Sequence, residues 1–61
     1  MLRLPERFPV GTAVEIYFEA VDAWLVGVVV AHQPPAVWVQ TADGRQWFVT
    51  NGRRIRPSPQ I

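Results

Sequence analysis

The stretch Trp24–Ala31, Trp-Leu-Val-Gly-Val-Val-Val-Ala, carries no charged or amide side chain. Read as a strand, it points Trp24, Val26, Val28 and Val30 to one side and Leu25, Gly27, Val29 and Ala31 to the other. A strand with one wet face alternates apolar and polar residues. This one does not, so both of its faces need cover. In a chain of 61 residues the core can cover one. The other calls for a folded-over segment, a partner subunit or a ligand.

A chain this short makes one domain at most. Its core supplies no more than about 3–5 kcal/mol without a staple. There is no cysteine, which removes disulfides and thiolate metal sites. The single histidine, His32, cannot build a zinc site by itself, so no metal ligands are assigned. The staples that remain are self-association and aromatic packing by three Trp, three Phe and one Tyr. Six basic residues, all Arg, face five acidic ones, for a net charge of +1. Net charge therefore makes no case for nucleic acid, but its distribution does. Glu15, Glu19 and Asp22 lie in the first half, and Arg53, Arg54 and Arg56 cluster near the end. No apolar run reaches membrane-spanning length, and Pro5 and Glu6 interrupt any signal-peptide core. The expectation is a soluble, cytoplasmic protein.

Along the chain, residues 1–9 read as an extended N-terminal arm, with Leu2, Leu4 and Phe8 free to lie across a sheet face. Val10–Phe18 alternates with period two and reads as a first strand. Glu19–Ala23 is a polar loop, Trp24–Ala31 the second strand, and His32–Pro35 a break. Gly27 costs packing unless another backbone or ring lies over it. Ala36–Thr41 and Arg45–Thr50 form a hairpin around Asp43-Gly44. A two-residue turn there puts Val37, Val39, Gln46 and Phe48 on one face and Trp38, Gln40, Arg45, Trp47 and Val49 on the other. A one-residue bulge would exchange the faces of one strand. Asn51-Gly52 turns, as 3₁₀ through Arg54; Ile55-Arg56 closes the fold and Pro57 ends it; residues 58–61 form a frayed tail. The sum is an all-β, five-stranded antiparallel barrel over residues 10–57, without a helix, because closing the sheet removes exposed edges.

Trp24, Gly27 and Val29 in a Trp-x-x-Gly-x-Val stretch, the hairpin and the final Ile55-Arg56-Pro57 together resemble small SH3-like barrels over about Val10–Pro57. Trp47–Pro57 is similar to the closing strands of retroelement integrase C-terminal domains, which implies binding of DNA without sequence preference. The strand–loop–Trp layout resembles Agenet and Tudor-like modules, which implies binding of a peptide or a modified side chain. Arg45-Gln46-Trp47-Phe48 is the stretch nearest to the Val-Gln-Ile-Tyr pore run of plasmid-borne SH3-like dihydrofolate reductases, and keeps only its Gln. That likeness implies a tetramer with a central pore and a nicotinamide cofactor.

The residues themselves offer no catalytic constellation. There is no Ser–His–Asp signal, no carboxylate pair in fixed relation and no phosphate-cradling glycine loop, so neither enzyme activity nor a cofactor is expected. Two binding sets remain. Arg45, Arg53, Arg54 and Arg56 would contact phosphates, with Trp47 or another Trp stacking on bases. Alternatively Tyr17, Trp24, Trp38 and Glu19 line an aromatic groove for a peptide or a cationic side chain. The leading expectation is a non-catalytic module for nucleic acid; a protein-interaction module is the alternative and the tetrameric reductase a third reading. The doubly apolar strand and hairpin further predict a homo-oligomer.

Overall fold

A computed structural model describes residues 3–59. A single helical turn, α1 (Leu4–Arg7), precedes β1 (Ala13–Phe18), β2 (Ala23–Gln33), β3 (Ala36–Thr41), β4 (Gln46–Val49) and β5 (Ile55–Pro57). Short 3₁₀ turns at Glu19–Val21 and Gly52–Arg54 join β1 to β2 and β4 to β5. The five strands form one antiparallel sheet in the order β4-β3-β2-β1-β5. Among the described residues, no helix is long and apolar enough to cross a membrane.

The doubly apolar stretch is the centre of this sheet. β2 pairs with β1 through Val14↔Gly27 and Ile16↔Leu25, and with β3 through Gly27↔Thr41 and Val29↔Val39. The register with β3 shifts between Val29 and Ala31, so Val30 is the extra residue of a bulge, where a strand bends. Gly27 is required by its neighbours. A Cβ there would lie 2.6 Å from Val39 Cγ1 and 2.9 Å from the Gln40 carbonyl oxygen. Another backbone therefore does lie over it.

The inner face holds Val14 and Ile16 of β1, Val29 of β2, Val37 and Val39 of β3, and Ile55 of β5. Leu4 and Phe8 close it from outside the sheet. Their segment is a helical turn rather than an extended arm. Pro5 fits the first turn, where its missing N–H costs nothing. Glu6 Oε1 accepts from the Arg3 amide at 3.3 Å, and the Phe8 amide donates to the Leu4 carbonyl at 2.9 Å. The Phe8 carbonyl can only accept, so His32 Nε2 carries the proton of their 2.9 Å bond. Leu2 lies outside the described residues. β1 begins at Ala13, not Val10, because Gly11 at φ +94° turns the chain and donates to the Val29 carbonyl. At the other end Ser58 is buried and donates its amide to the Ala13 carbonyl, so the chain is held one residue past Pro57 rather than frayed from there.

The hairpin differs from the two-residue turn by one residue. The Gly44 amide donates to the Thr41 carbonyl at 2.9 Å, and the Thr41 amide to the Arg45 carbonyl at 3.0 Å. Gly44, not Asp43, carries the positive φ, +85°. This is a three-residue loop with glycine in the left-handed position. It pairs Val39 with Trp47, Trp38 with Phe48 and Gln40 with Gln46. The extra residue exchanges the faces of β4. Trp47 and Val49 turn to the core, and Phe48 turns outward at 49% exposure. The rings of Phe18 on β1 and Trp47 on β4 meet edge-on at 4.5 Å, although β2 and β3 separate those strands. The sheet is therefore strongly curled.

Candidate binding surface

The outer face carries Ala13, Glu15 and Tyr17 from β1, Trp24, Val26 and Val28 from β2, Trp38 and Gln40 from β3, Gln46 and Phe48 from β4, and Arg56 from β5. Val26, Val28 and Val30 remain 40%, 42% and 36% exposed. The face of the central strand that carries these valines is uncovered. A shallow groove of about 420 Å³ runs along Val26, Val28, Val30 and Gln40.

Two aromatic corners flank the valines. At one, Tyr17 and Trp24 are register partners with ring centroids 5.5 Å apart. The Arg56 guanidinium carbon sits 3.8 Å from the Trp24 ring centroid, and its Nε donates to Glu15 Oε1 at 2.7 Å. Trp24 therefore already holds a cation on its face, and Glu15 fixes that cation in place. The Tyr17 hydroxyl donates to Asp22 Oδ1 at 2.7 Å, and Asp22 adopts the left-handed conformation, φ +47°, at the end of the 3₁₀ turn. The bond to that carboxylate pushes the Tyr17 phenol above its ordinary value; partial burial and the Glu19 charge add to the rise, against Arg54.

The opposite corner pairs Trp38 with Phe48, centroids 5.0 Å apart, with Trp38 Nε1 donating to Gln33 Oε1 at 3.1 Å. Trp38 is paired with Ala31, seven residues along β2 from Trp24, which separates the two Trp residues by about 20 Å. The expected groove of Tyr17, Trp24, Trp38 and Glu19 is thus two sites. Tyr17 and Trp24 come together, Trp38 does not join them, and Glu19 Oε1 is taken by Arg54 Nη2 at 3.2 Å.

The arginine set also disperses. Arg45 is at the hairpin tip with Asp43 at 3.5 Å, Arg54 pairs with Glu19, and Arg56 with Glu15. Of the four, only Arg53 has no carboxylate partner among the described residues. The Arg7 guanidinium lies against Gly52, the residue before it. Trp47 is partly buried. Its ring packs on Phe18 and the core, and its Nε1 donates to Thr41 Oγ1 at 3.1 Å. The Thr41 hydroxyl in turn donates to Asp43 Oδ1 at 2.6 Å. That bond, then the Arg45 amide, holds the Asp43 carboxyl below the usual carboxylate range. Gln46 and Trp47 face opposite sides of β4, Gln46 outward and Trp47 toward the core.

Glu15, Val26, Val28 and Phe48 belong to this surface although no site reading chose them. Phe48 was hidden by the loop length. Glu15 was hidden because its partner Arg56 is 41 residues away in the chain. No protein-family model matches the chain, and neither the curated proteins nor the solved structures contain a significant match.

Proposed function

We propose that the chain is a small non-catalytic binding module, an SH3-like barrel that engages a protein through the outer face of its curled sheet. One observation carries the reading. Val26, Val28, Val30 and Phe48 stay 36–49% exposed on one face, where Glu15 and Arg56 neutralise each other. A contiguous apolar patch with neutral electrostatics suits a protein surface. A phosphate backbone would need basic groups free to release counterions, and Arg45, Arg54 and Arg56 are each engaged with a carboxylate. Recognition of a cationic side chain at Trp24 would first have to displace Arg56.

Nucleic-acid binding remains as a second reading because Arg7, whose guanidinium lies against Gly52, and Arg53 have no carboxylate partner among the described residues. Titration of the intrinsic Trp fluorescence with single- and double-stranded DNA and RNA at low salt separates the two. The protein-binding reading expects no saturable change. Quenching that weakens with salt and is lost in an Arg7→Ala/Arg53→Ala variant would overturn it in favour of nucleic acid.

A further inference from the structure

We infer that the Tyr17–Trp24 corner is a binding site for a planar guanidinium, which the chain fills with its own Arg56 and so closes to arginine side chains of other molecules. Arg56 stands opposite Glu15 in the β1–β5 register, yet its side chain reaches across β1 to the ring of Trp24 on β2. Its guanidinium carbon lies 3.8 Å from the ring centroid, and its Nε donates to Glu15 Oε1 at 2.7 Å. The corner thus offers the two things a guanidinium needs, an aromatic face to stack on and a carboxylate to take its N–H. The Tyr17 ring stands beside them, 5.5 Å from Trp24 and tilted by 53°.

Charge makes the corner depend on an occupant. The Glu15 side chain is 14% exposed, and Arg56 is its ion-pair partner. Without Arg56, a mostly buried carboxylate is left with no cation, which is costly. Asp22, bonded to the Tyr17 hydroxyl, adds a second negative charge beside it. The Arg56 side chain, by contrast, is 51% exposed, and its terminal nitrogens have no protein partner among the described residues. The receiving groups are therefore built into the sheet, and the guest is tethered from outside on the three-residue edge strand β5. A tethered guest acts at high effective concentration, which keeps outside cations out. An ammonium, a point charge with no plane to lay on the ring, is the poorer match.

The test removes the tether. Ethylguanidinium, the head of an arginine side chain, is titrated into Arg56→Ala while NMR follows the indole N–H of Trp24, assigned from a Trp24→Phe spectrum. A saturable shift with half-saturation at about 10–100 mM is expected, with the indoles of Trp38 and Trp47 unmoved. In the wild-type chain binding should be at least about tenfold weaker. Glu15→Gln in the Arg56→Ala background should weaken it about tenfold, and ethylammonium should also bind less well. Sodium chloride at equal concentration separates binding from screening. Where Arg56→Ala does not fold, Arg56→Thr, which favours a strand and is too short to reach the ring, takes its place. A Trp24 indole that does not saturate, that responds equally to sodium chloride, or that saturates as readily in the wild-type chain overturns the inference. So do Arg56 δ-protons of the wild-type chain that show no upfield shift from the Trp24 ring, a measurement that needs no variant. The titration involves neither Val26 nor Val28, so its failure leaves the docking surface standing.

Discussion

Within β2, Val29 is fully buried while Val28, its neighbour, is 42% exposed. The two residues have the same chemistry and adjacent positions, so hydrophobicity did not choose between them. The choice was made by segments far away in sequence. Leu4 and Phe8 of the N-terminal turn and Ile55 of β5 all pack on the side of Val29. Among the described residues, nothing folds across the side of Val28. An apolar strand thus states that two covers are needed, and the chain supplies one.

Substitutions on the two faces should therefore diverge. The largest effect is expected for Phe8→Ala. Phe8 is 1% exposed, and such truncation costs about 3–5 kcal/mol, as much as a core of this size supplies. The variant should show no cooperative thermal transition by circular dichroism. Phe48→Ala, on the outer face, loses mainly its pairing with Trp38, about 0.5–1.5 kcal/mol, and should melt cooperatively. Equal melting of the two variants would break the comparison. Gly27→Ala comes next, at about 1–3 kcal/mol, because its methyl group would meet Val39 and the Gln40 backbone; urea unfolding measures it.

Two titrations sharpen the comparison at the surface. Tyr17 is the single tyrosine, so phenolate absorbance reads it alone. Asp22→Asn removes the carboxylate that raises its pKa, and the alkaline midpoint should fall toward about 10. The smallest effect belongs to Asp43, whose carboxyl is depressed by the Thr41 hydroxyl and the Arg45 amide. Its contribution to stability is complete above the ordinary carboxyl value of about 3.9 and is lost as pH falls through the lower folded value. Urea midpoints measured downward from pH 5 should therefore decline less in Asp43→Asn than in the wild-type chain.

Much of the architecture was legible because it is local. Alternation gave β1, the Asp43-Gly44 pair gave a hairpin, and the Ile55-Arg56-Pro57 ending gave a closing strand. Gly27 announced a close approach before its neighbour was known. The faces of β4 were not legible, since loops of two and three residues share the Asp-Gly signal and differ by a full exchange of sides. The N-terminal turn was missed because Pro5 reads as a breaker, although it is acceptable in a first helical turn. The site was least legible. Its ion pairs, Glu15–Arg56 and Glu19–Arg54, join residues 41 and 35 positions apart. Charge clustering along the chain suggested a basic patch; folding delivers Arg54 and Arg56 to carboxylates and leaves Arg53 without one among the described residues.

The sheet ends on two short strands, β4 with four residues and β5 with three, the latter finishing in Pro57. A chain trying to extend the sheet sideways finds few free hydrogen-bonding groups at either margin, and one position without an N–H. Open, flat edges on a β-rich chain with an uncovered valine row would template fibrils. With its margins blunted, the sheet gives another strand little to pair with on either side, so the valine row is exposed without an open edge beside it.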